Sequence, residues 1–221
     1  MKTLKRNLVV GLFSIIAVYL FFLSRSGWDP MHAWNRAFAD VSLLLLLLTL
    51  VIGPLGKINR FFISYRPWRR EMGIWSALTA IIHVYILFDG WFQWEPIRTI
   101  AGFDQATGQL FFDSGFTLAN LLGLIGLVYV FLLTLISNNK SVKLLGKPAW
   151  DYVQQKSSIL YILVVAHTAY FLFFYRIGNA NWFQKPFLVF VIILFLIQWG
   201  VFFLTVLRNR AKARKALVNQ D

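Results

Sequence analysis

Two histidines, His83 and His167, are the residues of this chain best suited to chemistry. Each lies inside a long apolar stretch, where an ionisable side chain is costly and counts as a functional residue by default. Counted from the inner ends of their stretches, at about 1.5 Å per residue, the two reach similar depth on segments running in the same direction. Two imidazoles so placed suit a ligand held between parallel helices. A b-type haem is such a ligand, because haem iron accepts axial imidazoles and helix-bundle cores hold such cofactors. Gly73, Ser76, Ala80 and His83 share one helical face, which leaves room beside the histidine, and Gly123 and Gly126 add room from the next stretch. Beyond His167, the rings of Tyr170, Phe171 and Phe174 are placed to pack on a porphyrin. Two other readings stay open at this point: metal or proton transport, and plain packing by hydrogen-bonded histidines. Zinc or copper would want more ligands than two histidines. His32, beside Trp28 and Trp34, reads as a solvated interfacial residue.

Other chemistries are excluded by residue type. The chain has no cysteine, so disulfides, thiolate catalysis, Cys-ligated zinc, iron–sulfur clusters and covalently attached c-type haem are ruled out. No Gly-x-Gly-x-x-Gly or Walker loop is present, nor a Gly-x-Ser-x-Gly or His-Glu-x-x-His motif.

The elements that must carry the histidines are apolar helices. Of 221 residues, 58% are hydrophobic and only 14% charged, too few to cover a water-facing surface. Mean hydropathy is +0.63. Six apolar stretches, about 8–23, 41–55, 72–88, 116–136, 157–175 and 187–207, predict six transmembrane helices in an all-α integral membrane bundle. The first could pass for a signal peptide, but its cleavage pattern is poor, and it reads as a retained helix. The net charge of +13 is distributed by side. Seventeen of the 22 Lys and Arg fall in segments that are inner if the N-terminus is inside, whereas six of the nine Asp and Glu fall outside. Positive loops stay cytoplasmic, so both termini are expected inside, and the excess charge does not indicate nucleic-acid binding. Trp28, Trp34, Trp91, Trp94 and Trp182 form an outer aromatic belt, and residues 89–115 read as an outer interfacial cap. Asp40 and Asp89 are expected at the interface, at helix ends. The chain is expected to form one domain, 1–221, with no internal repeat.

The motifs resemble a known family. Arg69-Arg70-x-x-Gly73 followed by His83, and Leu144-Leu145-Gly146-Lys147 followed by Trp150 and His167, are similar to the third-helix and fifth-helix signatures of ferric reductase-like transmembrane domains. Thr134 and Gly53-Pro54 are similar as well. Within that family the chain looks nearest to the haem-binding membrane subunit of the periplasmic methionine sulfoxide reductase system. The resemblance runs from about residue 36 to 175. It implies a bacterial inner-membrane b-type haem protein that accepts electrons from quinol or a cytoplasmic flavin reductase. A periplasmic partner, such as a methionine sulfoxide reductase catalytic subunit, receives them. It implies His83 and His167 as axial ligands and admits FMN as a further cofactor. The family has another histidine thirteen residues before the last one, where this chain has Gln154. Gln is a poor haem ligand, so a single haem toward the outer side is expected.

In this reading the chain is an electron-transfer subunit of an oxidoreductase system, and Arg98, Arg176 or Lys185 at the outer boundary would neutralise the propionates. The alternative is a non-redox multi-pass membrane protein, such as a transporter or an assembly subunit.

Overall fold

The computed structural model describes residues 2–104, 107–175 and 181–218. Among them are six helices long and apolar enough to cross a membrane, which makes the chain a multi-pass membrane protein. They are α1 (Lys2–Leu23), α2 (Pro30–Ile58), α3 (Trp68–Leu87, prolonged by a π-helical turn over Phe88–Phe92), α4 (Ser114–Leu135), a fifth span over Lys147–Phe174, and α8 (Gln184–Val218). Between α4 and the fifth span lies a short α5 (Asn139–Leu145). The fifth span is α6 (Lys147–Gln155) followed by α7 (Ser157–Ala169) and a π-helical turn over Tyr170–Phe174.

The largest departure from the sequence expectation is α2, which begins at Pro30, well before the apolar stretch that opens at 41. Two local signals start it there. The Asp29 side chain accepts a hydrogen bond from the His32 backbone N–H at 3.0 Å, and proline stands in the first turn, where its missing N–H costs nothing. α2 is also the central helix. Ala37, Val41 and Leu45 on it are fully buried, packed against Val10, Ala17 and Val18 of α1 and Met72 of α3. Its other side joins a second cluster in which Leu43 and Leu46 meet Phe187 and Leu194 of α8 and Leu160 of α7.

Among the described residues, the segment between α3 and α4 departs from an all-α description only in a small hairpin, β1 (Gly102–Asp104) paired antiparallel with β2 (Gln109–Phe111). α4 starts sharply after it, because the Asp113 carboxylate accepts the Gly115 and Phe116 N–H groups at 2.8 and 3.0 Å. At the other end of the bundle, α5 and α6 are joined through Gly146, whose φ of +76° suits glycine. The lipid-facing sides of α1, α4 and α8 stay apolar and exposed, as with Leu12, Ile125 and Phe195.

Candidate functional site

His83 and His167 line one partly open cavity of about 140 Å³, walled by α2, α3, α4 and the fifth span. Each ring is held by a backbone carbonyl of a neighbouring helix. His83 Nδ1 lies 3.1 Å from the Asn35 carbonyl oxygen, and His167 Nδ1 lies 2.7 Å from that of Ala119. A carbonyl can only accept, so Nδ1 carries the proton in both rings and Nε2 keeps its lone pair. Neither Nε2 has a hydrogen bond to any described residue. An imidazole anchored at Nδ1–H with Nε2 free is the arrangement in which histidine ligates a metal.

The two hydrogen bonds span the same sequence separation, 48 residues in each case. The correspondence extends over the cavity. Eleven lining residues of α2 and α3 each have a lining counterpart 84 positions on, in α4 or the fifth span. Arg36 matches Asn120, Ala39 matches Gly123, Ser42 matches Gly126, Ser76 matches Leu160, His83 matches His167 and Leu87 matches Phe171. The cavity is thus walled by two antiparallel helix pairs in the same register. In the first pair, Ser76 Oγ donates to the Ser42 carbonyl at 2.8 Å and Ser42 Oγ to that of Ser76 at 2.9 Å. In the second, Gly126 takes the place of Ser42 and Leu160 that of Ser76, and a Cβ at Gly126 would sit 3.8 Å from Leu160. The correspondence is one of lining positions, with few shared side-chain identities.

Small residues shape the wall beside the histidines. A Cβ on Gly123 would lie 2.6 Å from His167 Nδ1, so only glycine admits the ring in this position. Ser76 and Ala80 line the cavity as expected, whereas Gly73 of the same stripe does not. Of the aromatic residues past His167, Phe171 lines the cavity, Tyr170 reaches the Asp113 carboxylate at 3.5 Å, and Phe174 points outward at 65% exposure. Gln154 lies off the cavity, and its Nε2 donates to Ser137 Oγ at 3.2 Å. Arg69 donates to the Thr49 carbonyl at 2.9 Å, and Trp150 Nε1 to that of Ile136 at 2.9 Å. These motif residues tie helix ends together. His32 stacks edge-on against Trp91, with centroids 4.6 Å apart, away from the cavity.

Of the residues expected to meet propionates, Arg98 and Lys185 do not line the cavity. Arg98 is bound to Glu95 at 2.8 Å and to Gln93 at 2.8 Å, and lies 4.0 Å over the Phe103 ring. Lys185 is exposed and does not line the cavity, and Arg176 lies outside the described residues. The charged groups that do line it are Arg36 and Asp40. Asp40 is not at a helix end, as the sequence suggested, but ten residues into α2 and only 5% exposed. Its carboxylate is paired with Arg25, whose guanidinium lies 5.5 Å from both the Trp28 and Trp182 rings. Arg36 has no hydrogen bond or ion pair to any described residue, and its guanidinium lies over Phe171 at 5.7 Å. Asn120 Nδ2 is buried without a hydrogen-bond partner. The sequence signal that could have found Arg36 and Asp40 was Asp29-Pro30, which moves the start of α2 ahead of both.

No protein-family model matches the chain. Curated proteins do. The chain is 26% identical over 208 residues to the protein-methionine-sulfoxide reductase heme-binding subunit MsrQ of Polaromonas naphthalenivorans, spanning 91% of this chain and 83% of that protein. It is 24% identical over 204 residues to MsrQ of Brucella anthropi, spanning 90% and 80%, and 24% identical over 188 residues to MsrQ of Brucella ovis, spanning 83% and 75%. These similarities take in all four helices that wall the cavity, and they bear out the resemblance read from the motifs: the chain is MsrQ-like along nearly its whole length.

Proposed function

We propose that this chain is a membrane electron-transfer subunit that holds one b-type haem between His83 and His167. The observation that carries the reading is the matched pair of Nδ1–H to carbonyl hydrogen bonds, which leaves two Nε2 lone pairs on the walls of one cavity. The names of the similar proteins, heme-binding subunits of a methionine sulfoxide reductase, support it. The donor set fits the group: two neutral imidazoles, apolar walls from Leu43, Leu127 and Val130, and a glycine cradle at Gly123. When bound, such a haem supplies one-electron chemistry, and two axial histidines favour electron transfer over oxygen binding.

The residues of the chain would do the rest. The carbonyls of Asn35 and Ala119 orient the rings and raise their basicity. The apolar walls exclude water. Gln154 lies off the cavity, bonded to Ser137, which supports one haem rather than two. The route runs from a quinol or a cytoplasmic flavin reductase to a periplasmic partner, a catalytic subunit that reduces methionine sulfoxide. The whole chain acts as one domain in the bacterial inner membrane, with both termini cytoplasmic.

The test is a reduced-minus-oxidised spectrum of protein purified in detergent after expression with added haem. A b-type α-band and a haem-to-protein ratio near one are expected, and His83→Ala and His167→Ala should each abolish the band. A colourless wild-type protein would overturn the reading in favour of a non-redox membrane protein.

A further inference from the structure

We infer that Arg36 and Asn120 hold the two propionates of the bound haem, Arg36 as an ion pair and Asn120 as a neutral donor. The inference rests on the haem reading above and extends it to residues that neither the motifs nor the similar proteins' names single out. Three observations carry it.

First, the two residues occupy equivalent places. Arg36 follows Asn35 and Asn120 follows Ala119, the two residues whose carbonyls hold the histidine rings. Each helix pair therefore offers one histidine and one donor at the same step of its register. A haem has two axial positions and two propionates on one edge, and the cavity presents two of each.

Second, both donors lack hydrogen-bond partners among the described residues. Arg36 is the cation on the cavity wall, and it makes no hydrogen bond or ion pair to a described residue. Asp40, one turn along α2, attracts it through space but makes no hydrogen bond to it, because that carboxylate is bonded to Arg25. Asn120 Nδ2 is buried and unpartnered in the same cavity. Buried donors are normally satisfied, and one left open in a cavity marks a place where an acceptor belongs.

Third, the direction is consistent. The Arg36 guanidinium lies over the ring of Phe171, one helical turn beyond His167 toward the end of the bundle that carries β1 and β2. A carboxylate drawn to it turns the propionate edge to that end of the cavity. The guanidinium supplies charge-assisted hydrogen bonds, and Asn120 supplies weaker neutral ones.

A cation near the iron favours the reduced state, so its loss must lower the reduction potential. Redox titration of the haem-loaded full-length protein is expected to show a tenfold weaker reduction equilibrium in Arg36→Leu, about 59 mV for one electron. Arg36→Lys should recover most of this, and Asn120→Leu should shift it less. The decisive arm is redox difference infrared spectroscopy with ¹³C-labelled propionates, in which one carboxylate band should move in Arg36→Leu and the other in Asn120→Leu. A potential unchanged in Arg36→Leu, or labelled bands unmoved by either substitution, would overturn the inference while leaving a haem-binding protein. A protein that binds no haem at all would overturn the haem reading itself.

Discussion

Asn35 and His83 hold each other by two hydrogen bonds that run in opposite directions. The Asn35 side-chain amide donates to the His83 backbone carbonyl at 2.9 Å, and His83 Nδ1 donates to the Asn35 backbone carbonyl at 3.1 Å. The pair fixes the register of α2 on α3 and the orientation of the imidazole at once. On the other wall, Ala119 offers only its carbonyl to His167, so the ring there is held by one bond and by the glycine opposite it.

The Asn35 amide should therefore matter to stability more than to ligation. Asn35→Ala removes one side-chain hydrogen bond, worth about 0.5–1.5 kcal/mol net, but keeps the backbone carbonyl that holds Nδ1. Thermal unfolding in detergent should show a lowered midpoint, and the haem spectrum of the folded fraction should be unchanged.

Gly123 should be intolerant of any side chain. Gly123→Ala places a methyl 2.6 Å from His167 Nδ1, so the ring must move and the Ala119 bond must lengthen or break. Loss of bound haem or a changed low-spin signal in electron paramagnetic resonance is expected, with helix content preserved by circular dichroism. Gly126→Ala is the control, because its nearest neighbour, Val164 Cγ2, is at an ordinary 3.6 Å.

The Arg25–Asp40 pair joins the turn after α1 to α2 beside the cavity, with Arg25 only 2% and Asp40 only 5% exposed. Breaking a buried pair from one side costs about 3–5 kcal/mol, since it leaves an uncompensated charge. Arg25→Leu alone should destabilise strongly, and Arg25→Leu with Asp40→Leu should regain much of the loss. Denaturant unfolding of the three proteins in the same detergent measures this.

Restoring a histidine at 154 should not by itself create a second haem site. The position equivalent to Gln154 on the first helix pair, 84 residues earlier, is Arg70, which donates to Asn139 Oδ1 at 3.3 Å and offers no ligand. Gln154→His should leave the haem-to-protein ratio near one. A ratio near two, from pyridine haemochrome and amino-acid analysis, would show instead that Gln154 alone withholds a second site.

Some of this was legible in the chain itself. Runs of apolar residues determined the six spans, because hydrocarbon rejects anything else over that length. The lopsided charge gave an expected sidedness, and the scarcity of charge inside the spans left His83 and His167 exposed as candidates. Helical spacing placed Ser76, Ala80 and His83 on one face. Periodicity tells which residues share a face but not which face of another helix it meets. That is set by long-range packing: Leu45 and Val41 at the centre, the Ser42–Ser76 pair, and the glycine at 126 opposite Leu160. Only the tertiary structure could bring Arg36 and Asn120 to one cavity, take Arg98 away into a bond with Glu95, and put Asp40 in a buried ion pair. It alone revealed the matched register of the two helix pairs, because the register of antiparallel helices is fixed by backbone contacts and small residues that need no repeated sequence.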